Sequence, residues 1–111
     1  MKKFHLAIAT NNLTATIQDY SQRLGADPCI VIENEYALWR TETLNISIRH
    51  DSNCPTGTVR HVGWEDPTAS EFSQETDVNG LIWERFSAAD QATEINNIWP
   101  GINYRPQDSK C

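Results

Sequence analysis

The sequence predicts an α+β domain built on a mixed sheet, and three observations carry that prediction. Several segments alternate apolar and polar residues with the period of two that half-buried strands require. One segment instead places Leu13, Ile17, Tyr20 and Leu24 at the three-to-four spacing of an amphipathic helix. The order strand, helix, strands then begins again after a polar stretch near the middle of the chain, in shortened form.

Phe4 to Thr10 is the opening strand, with His5, Ala7 and Ala9 on one face and Leu6 and Ile8 on the other. Asn11 and Asn12 offer a cap to the helix from Leu13, and Gly25 stands where it would end in a left-handed residue. Cys29 to Glu33 and Tyr36 to Arg40 read as two strands around a tight turn at Asn34-Glu35. Leu44, Ile46 and Ile48 alternate with Asn45, Ser47 and Arg49, giving a strand with one core face and one polar face. Residues 51 to 57 form the linker. Val59 to Glu65 resumes as a strand with His61, Gly63 and Glu65 on one side. Asp66-Pro67 reads as a helix start, so Thr68 to Gln74 is expected to form a short helix at most. Asp77 to Gly80 is a turn and Leu81 to Phe86 a strand carrying Glu84 on one face. Ser87 with Asp90 opens a helix over about 88 to 98, which stops by Pro100. The polar tail from Gly101 is expected to be loose.

The chain has 111 residues and a formal net charge of −6. That length suits one domain. The acidic balance, with no Lys/Arg cluster, argues against nucleic acid or an anionic membrane as partner. No apolar run approaches a membrane span, and the opening segment reads as a strand and not a signal, so a cytoplasmic protein is expected. Cys29, Cys54 and Cys111 are odd in number and lack CxxC spacing, which suggests reduced thiols and no zinc cluster. No GxSxG or phosphate-binding glycine loop occurs.

Four stretches carry a resemblance: His5 in its opening strand, Asp19-Tyr20-Ser21-Gln22-Arg23-Leu24-Gly25, Arg60-His61-Val62-Gly63-Trp64, and Asp77-Val78-Asn79-Gly80-Leu81-Ile82-Trp83-Glu84. In this order they resemble the vicinal oxygen chelate superfamily, the group of glyoxalases, bleomycin-resistance proteins and extradiol dioxygenases. The resemblance spans roughly residues 4 to 86. It implies paired βαβββ-type modules curving into a cup-shaped mixed sheet: module one at about 4–50, a shortened module two at about 58–86, and a C-terminal helix beyond. It also implies a divalent metal (Fe, Mn, Ni or Zn) held by His5, His61 and Glu84, with Glu84 doubling as the candidate catalytic group. Two imidazoles and a carboxylate on one face of adjacent strands can converge on such an ion and leave positions open for substrate.

Two functions follow from that resemblance. One is a metal-dependent lyase or oxygenase acting on a small chelating substrate, with Arg49, Ser47, Asn45 and Trp39 as substrate-binding candidates. The other is a metal-free, small-molecule-binding homodimer of the bleomycin-resistance kind. The strand that should supply a fourth ligand carries only Asn45, Ser47 and Arg49, none a good metal ligand, and alternation turns His50 to the apolar face. Arg49 could instead grip an anionic substrate group. Only twenty-two residues lie between His61 and Glu84, too few for a helix and two further strands. A missing hairpin would leave a strand edge to be covered by a second copy or by the terminal helix near Ile95, Ile98 and Trp99. Against these readings stands a plainer one: strand-borne histidine is usually a hydrogen-bonded structural residue, and strand-borne tryptophan usually core.

Overall fold

The computed structural model describes residues 1 to 106; Cys111 lies outside them. The strands are β1 (Lys3–Thr10), β2 (Ile30–Ile32), β3 (Tyr36–Arg40), β4 (Leu44–His50), β5 (Val59–Glu65), β6 (Ser73–Thr76) and β7 (Ile82–Phe86). The helices are α1 (Leu13–Leu24) and α2 (Ala88–Ile98). The fold is α+β, and the strands form one open mixed sheet in the order β2-β3-β4-β1-β5-β7-β6. No described helix is long and apolar enough to cross a membrane.

Local chemistry sets the ends of α1 as the residues suggest. The Asn12 side chain accepts from the Ala15 N–H at 3.1 Å. Gly25 is left-handed at φ 65° and its N–H bonds the Gln22 carbonyl, while Ala26 N–H reaches back to Ser21. The apolar stripe of α1 packs on Ala37, Trp39, Ile46 and Ile48. These residues share one sheet face because side chains alternate along a strand. At the tip of the β2–β3 hairpin, Asn34 takes φ 62°, a conformation asparagine tolerates better than most residues.

α2 covers the opposite face. Ser87 and Asp90 close a reciprocal capping box at its start. Ala92 and Ile95 then pack with Tyr36, Leu38 and Tyr104. The helix therefore covers a face of the sheet, not an open strand edge. Tyr104 also corrects the expectation of a loose tail within the described residues; positions 107 to 111 of that tail lie outside them. Tyr104 is buried, and its backbone N–H and carbonyl are both tied to the Asn96 side chain, at 2.8 and 3.0 Å.

The segment after β5 departs from the sequence reading. No helix forms over Thr68 to Gln74; turns occupy its first part and β6 its end. Asp66 organises the turns, accepting from the Thr68 N–H and hydroxyl and from Arg85 Nε. Those bonds, Thr68's first, hold its carboxyl down at about 2 against the opposing effect of burial. Phe72 is the single large apolar residue from 68 to 74, so a helix there would have no stripe to bury. β6 pairs with β7 through backbone bonds and is exposed along its length. The reduced-thiol expectation is also corrected: Cys29 is disulfide-bonded, while Cys54 is free.

Candidate metal centre

β1 lies at the centre of the sheet, parallel to β4 and antiparallel to β5, and β5 is parallel to β7. This arrangement lines up His5, His61 and Glu84 on the face beneath α2, one from each of three adjacent strands. Nε2 of His61 stands 3.0 Å from Nε2 of His5 and 3.0 Å from Oε1 of Glu84. One donor atom from each residue falls within 4.8 Å of the others. Gly63 makes the β5–β7 approach possible. It pairs in register with Glu84, and a Cβ there would sit 1.9 Å from the Glu84 carbonyl oxygen.

The protonation pattern tests whether this trio suits a cation. His5 Nδ1 faces two acceptors, Oδ1 of Asn45 at 2.9 Å and the Asn45 carbonyl at 3.1 Å, so it carries the hydrogen. Its Nε2 lone pair then points at His61. Glu84 contributes a second acceptor to the same nitrogen of His61, and one hydrogen on that nitrogen is all that three lone-pair atoms can share. A cation in place of that hydrogen would satisfy all three. Two donors about 2.1 Å from one ion and at right angles to it stand about 3.0 Å apart. Burial, with the nearby His61, lowers the pKa of His5 and outweighs the opposing pull of Asn45 and Glu84, favouring the neutral imidazole that ligation needs.

Deeper under α2, Arg40 grips Glu65 in a two-pronged pair, Nε to Oε1 at 2.8 Å and Nη2 to Oε2 at 2.9 Å. Burial pushes the Glu65 carboxyl up, but hydrogen bonds from Arg40 and Asn45 leave it below its ordinary value.

Between the trio and α2 lies a cavity of about 40 Å³ lined also by Ser47, Arg49, Arg60 and Trp99. That is room for an ion and a few waters. Arg49 sits over the Trp99 ring, 5.4 Å from its centroid. Of the substrate-binding candidates, Arg49 and Ser47 reach the cavity. Asn45 is fully buried against His5 and does not line it. Trp39 is on the other face, its indole N–H donating to the Ala26 carbonyl at 3.1 Å, so it belongs to the core under α1. His50 is exposed and apart from the trio, as alternation requires.

Arg60 escaped the sequence reading for a structural reason. Strict alternation turns it away from His61, but a bulge between Ala7 and Ile8 shifts the β1–β5 register and Arg60 falls at the irregularity. Gln91, Arg40 and Glu65 were also missed. The last two left a trace, as lone opposite charges on the inward faces of Tyr36-Leu38-Arg40 and His61-Gly63-Glu65.

The fold and the trio together define an α+β protein with a two-histidine, one-carboxylate donor set on a central sheet face. No family model matches the chain, and no curated protein matches it.

Proposed function

We propose that this chain is a vicinal oxygen chelate protein in which His5, His61 and Glu84 hold one divalent first-row metal ion, serving a lyase or oxygenase reaction on a small chelating substrate. The observation that carries the reading is the convergence of three ligand-type atoms, from three different strands, within 4.8 Å of one another. Strand order supports the modular part. Outward from the β1/β5 junction, each half runs opening strand, closing strand, then the strand before it, with the first pair parallel and the second antiparallel. On this reading the second module has lost its helix and one strand, and residues 66 to 72 replace them as turns.

A bound ion would act as a Lewis acid toward an oxygen of the substrate. The chain's own contribution is positional. Arg49 and Arg60 bring positive charge for an anionic substrate group to a cavity that Asp90 and Glu94 of α2 also line, and Trp99 stacks on the Arg49 guanidinium. A second copy of the chain is the natural cover for the exposed β6 edge.

Elemental analysis tests this reading. Tag-free protein prepared without chelators and offered Fe(II), Mn(II), Ni(II) and Zn(II) is expected to retain about one ion of at least one metal per chain; retention of none would contradict it. His61→Ala and Glu84→Ala should each abolish retention, and His50→Ala should not. The alternative, a metal-free binding dimer, has its own observation: a wider cleft of about 320 Å³ beside Trp64, Trp83, Glu75 and Asp77, on the half of the sheet that lacks a second helix. Light scattering at the mass of a monomer would count against the dimer that this alternative needs.

A further inference from the structure

A histidine can ligate through Nε2 only if the hydrogen of the neutral ring sits on Nδ1, and a neighbour must enforce that choice. The residues around His5 form a chain of such enforcement. Arg40 is always protonated, so its two-pronged bond makes Glu65 a pure acceptor. Nδ2 of Asn45 lies 2.8 Å from Glu65 Oε1, and only an N–H can face a carboxylate at that distance. The orientation of the Asn45 amide thus follows from the charge of Arg40. Its oxygen is left facing His5 Nδ1.

Gln91 of α2 completes the amide. Its Oε1 takes the second Nδ2 hydrogen at 2.8 Å, and its Nε2 donates to Asn45 Oδ1 at 3.2 Å. Asn45 is fully buried with both hydrogens donated and its oxygen accepting twice. Turning it over would set oxygen against the Glu65 carboxylate and an NH2 against the Nδ1 hydrogen. The opposite tautomer of His5 would set a lone pair against two carbonyl oxygens and an N–H where the trio converges.

We propose that Asn45 is the positioning residue of this site: held by Glu65, Arg40 and Gln91, it locks His5 in the Nδ1-protonated tautomer and turns the Nε2 lone pair toward His61 and Glu84. The proposal deepens the metal reading and rests on it for its purpose, but the tautomer is set without any ion. Through Gln91 the same lock ties the docking of α2 to the orientation of a ligand on the strand next to β4.

Nitrogen-15 long-range NMR of metal-free wild-type protein reads the tautomer directly. The expected spectrum shows a protonated Nδ1 and a bare Nε2 for His5; a protonated Nε2 would overturn the proposal. Asn45→Leu and the paired change Arg40→Met with Glu65→Met, both checked for folding by circular dichroism, should each mix the tautomers. Where wild type binds Zn(II), both should weaken it by about 10–100-fold by calorimetric titration. Wild-type tautomer and affinity in the folded variants would overturn it, and the wild-type spectrum alone decides if neither variant folds. A correct tautomer in wild-type protein that retains no metal would refute the metal reading and leave Asn45's role standing.

Discussion

The two halves of the sheet are built differently. On one side of the β1/β5 junction, β3 and β4 are covered on both faces, by α1 beneath and α2 above, and Leu38, Trp39 and Ile48 are fully buried. On the other side, β7 and β6 keep one face bare, with Trp64 partly exposed and β6 exposed throughout. The His5-His61-Glu84 trio straddles the two, with His5 from the covered half and His61 and Glu84 from the bare one. The covered half supplies orientation, since His5 is locked by a saturated buried network. The bare half supplies proximity, since a glycine lets β7 bring its carboxylate within 3.0 Å of His61. Orientation needs buried partners and proximity needs only a missing side chain, so the second half can lose its helix and still deliver two donors.

That contrast is measurable. Trp39→Ala should have the largest effect, about 3–5 kcal/mol of lost stability, because it empties the core of the doubly covered half. Gly63→Ala should follow, at about 1–3 kcal/mol from overpacking the strand contact, and it should also loosen metal binding by moving Glu84. Urea unfolding reads both stabilities. If Gly63→Ala left metal affinity untouched, the close β5–β7 contact would not be what places the carboxylate.

Acidification probes the network under α2. The carboxyl of Glu65 lies below its ordinary value of 4.5 when folded, so its contribution to stability is complete above that pH and is lost as pH falls through the folded value. Wild-type protein should therefore lose more stability between neutral pH and a pH below 4.5 than Glu65→Gln does over the same interval. Equal losses would show that the buried pair is not the acid-sensitive element of the covered half. Trp64→Ala should have the smallest effect, roughly 0.5–1.5 kcal/mol, the worth of an edge-to-face contact such as the one it makes with Phe4. A loss as large as that of Trp39→Ala would mean the bare face is covered in solution.

Much of the frame is legible in the residues because it rests on local rules. Asn12, Gly25, Ser87 and Asp90 mark the helix ends through bonds to their own neighbours, and alternation along residues 44 to 49 and 59 to 65 sorts the faces that bring His5, His61 and Glu84 together. What stays hidden is decided elsewhere in space. β6 has no apolar pattern, since it is held by backbone pairing alone. Arg60 is re-aimed by a bulge, and Trp39 joins the core because α1 packs on its face. Asn45 reads as a polar residue on a ligand-facing strand, and only the arrival of Glu65 and Gln91 from distant positions makes it an anchor for His5.

Whether three side chains from three strands share one ion is tested most directly by an anomalous-scattering map of crystals grown with Mn(II) or Zn(II). A single peak is expected about 2.0–2.2 Å from Nε2 of His5, Nε2 of His61 and a carboxylate oxygen of Glu84. A peak elsewhere, or none while His61 keeps its 3.0 Å contacts to both neighbours, would contradict it and leave the trio a hydrogen-bonded structural element.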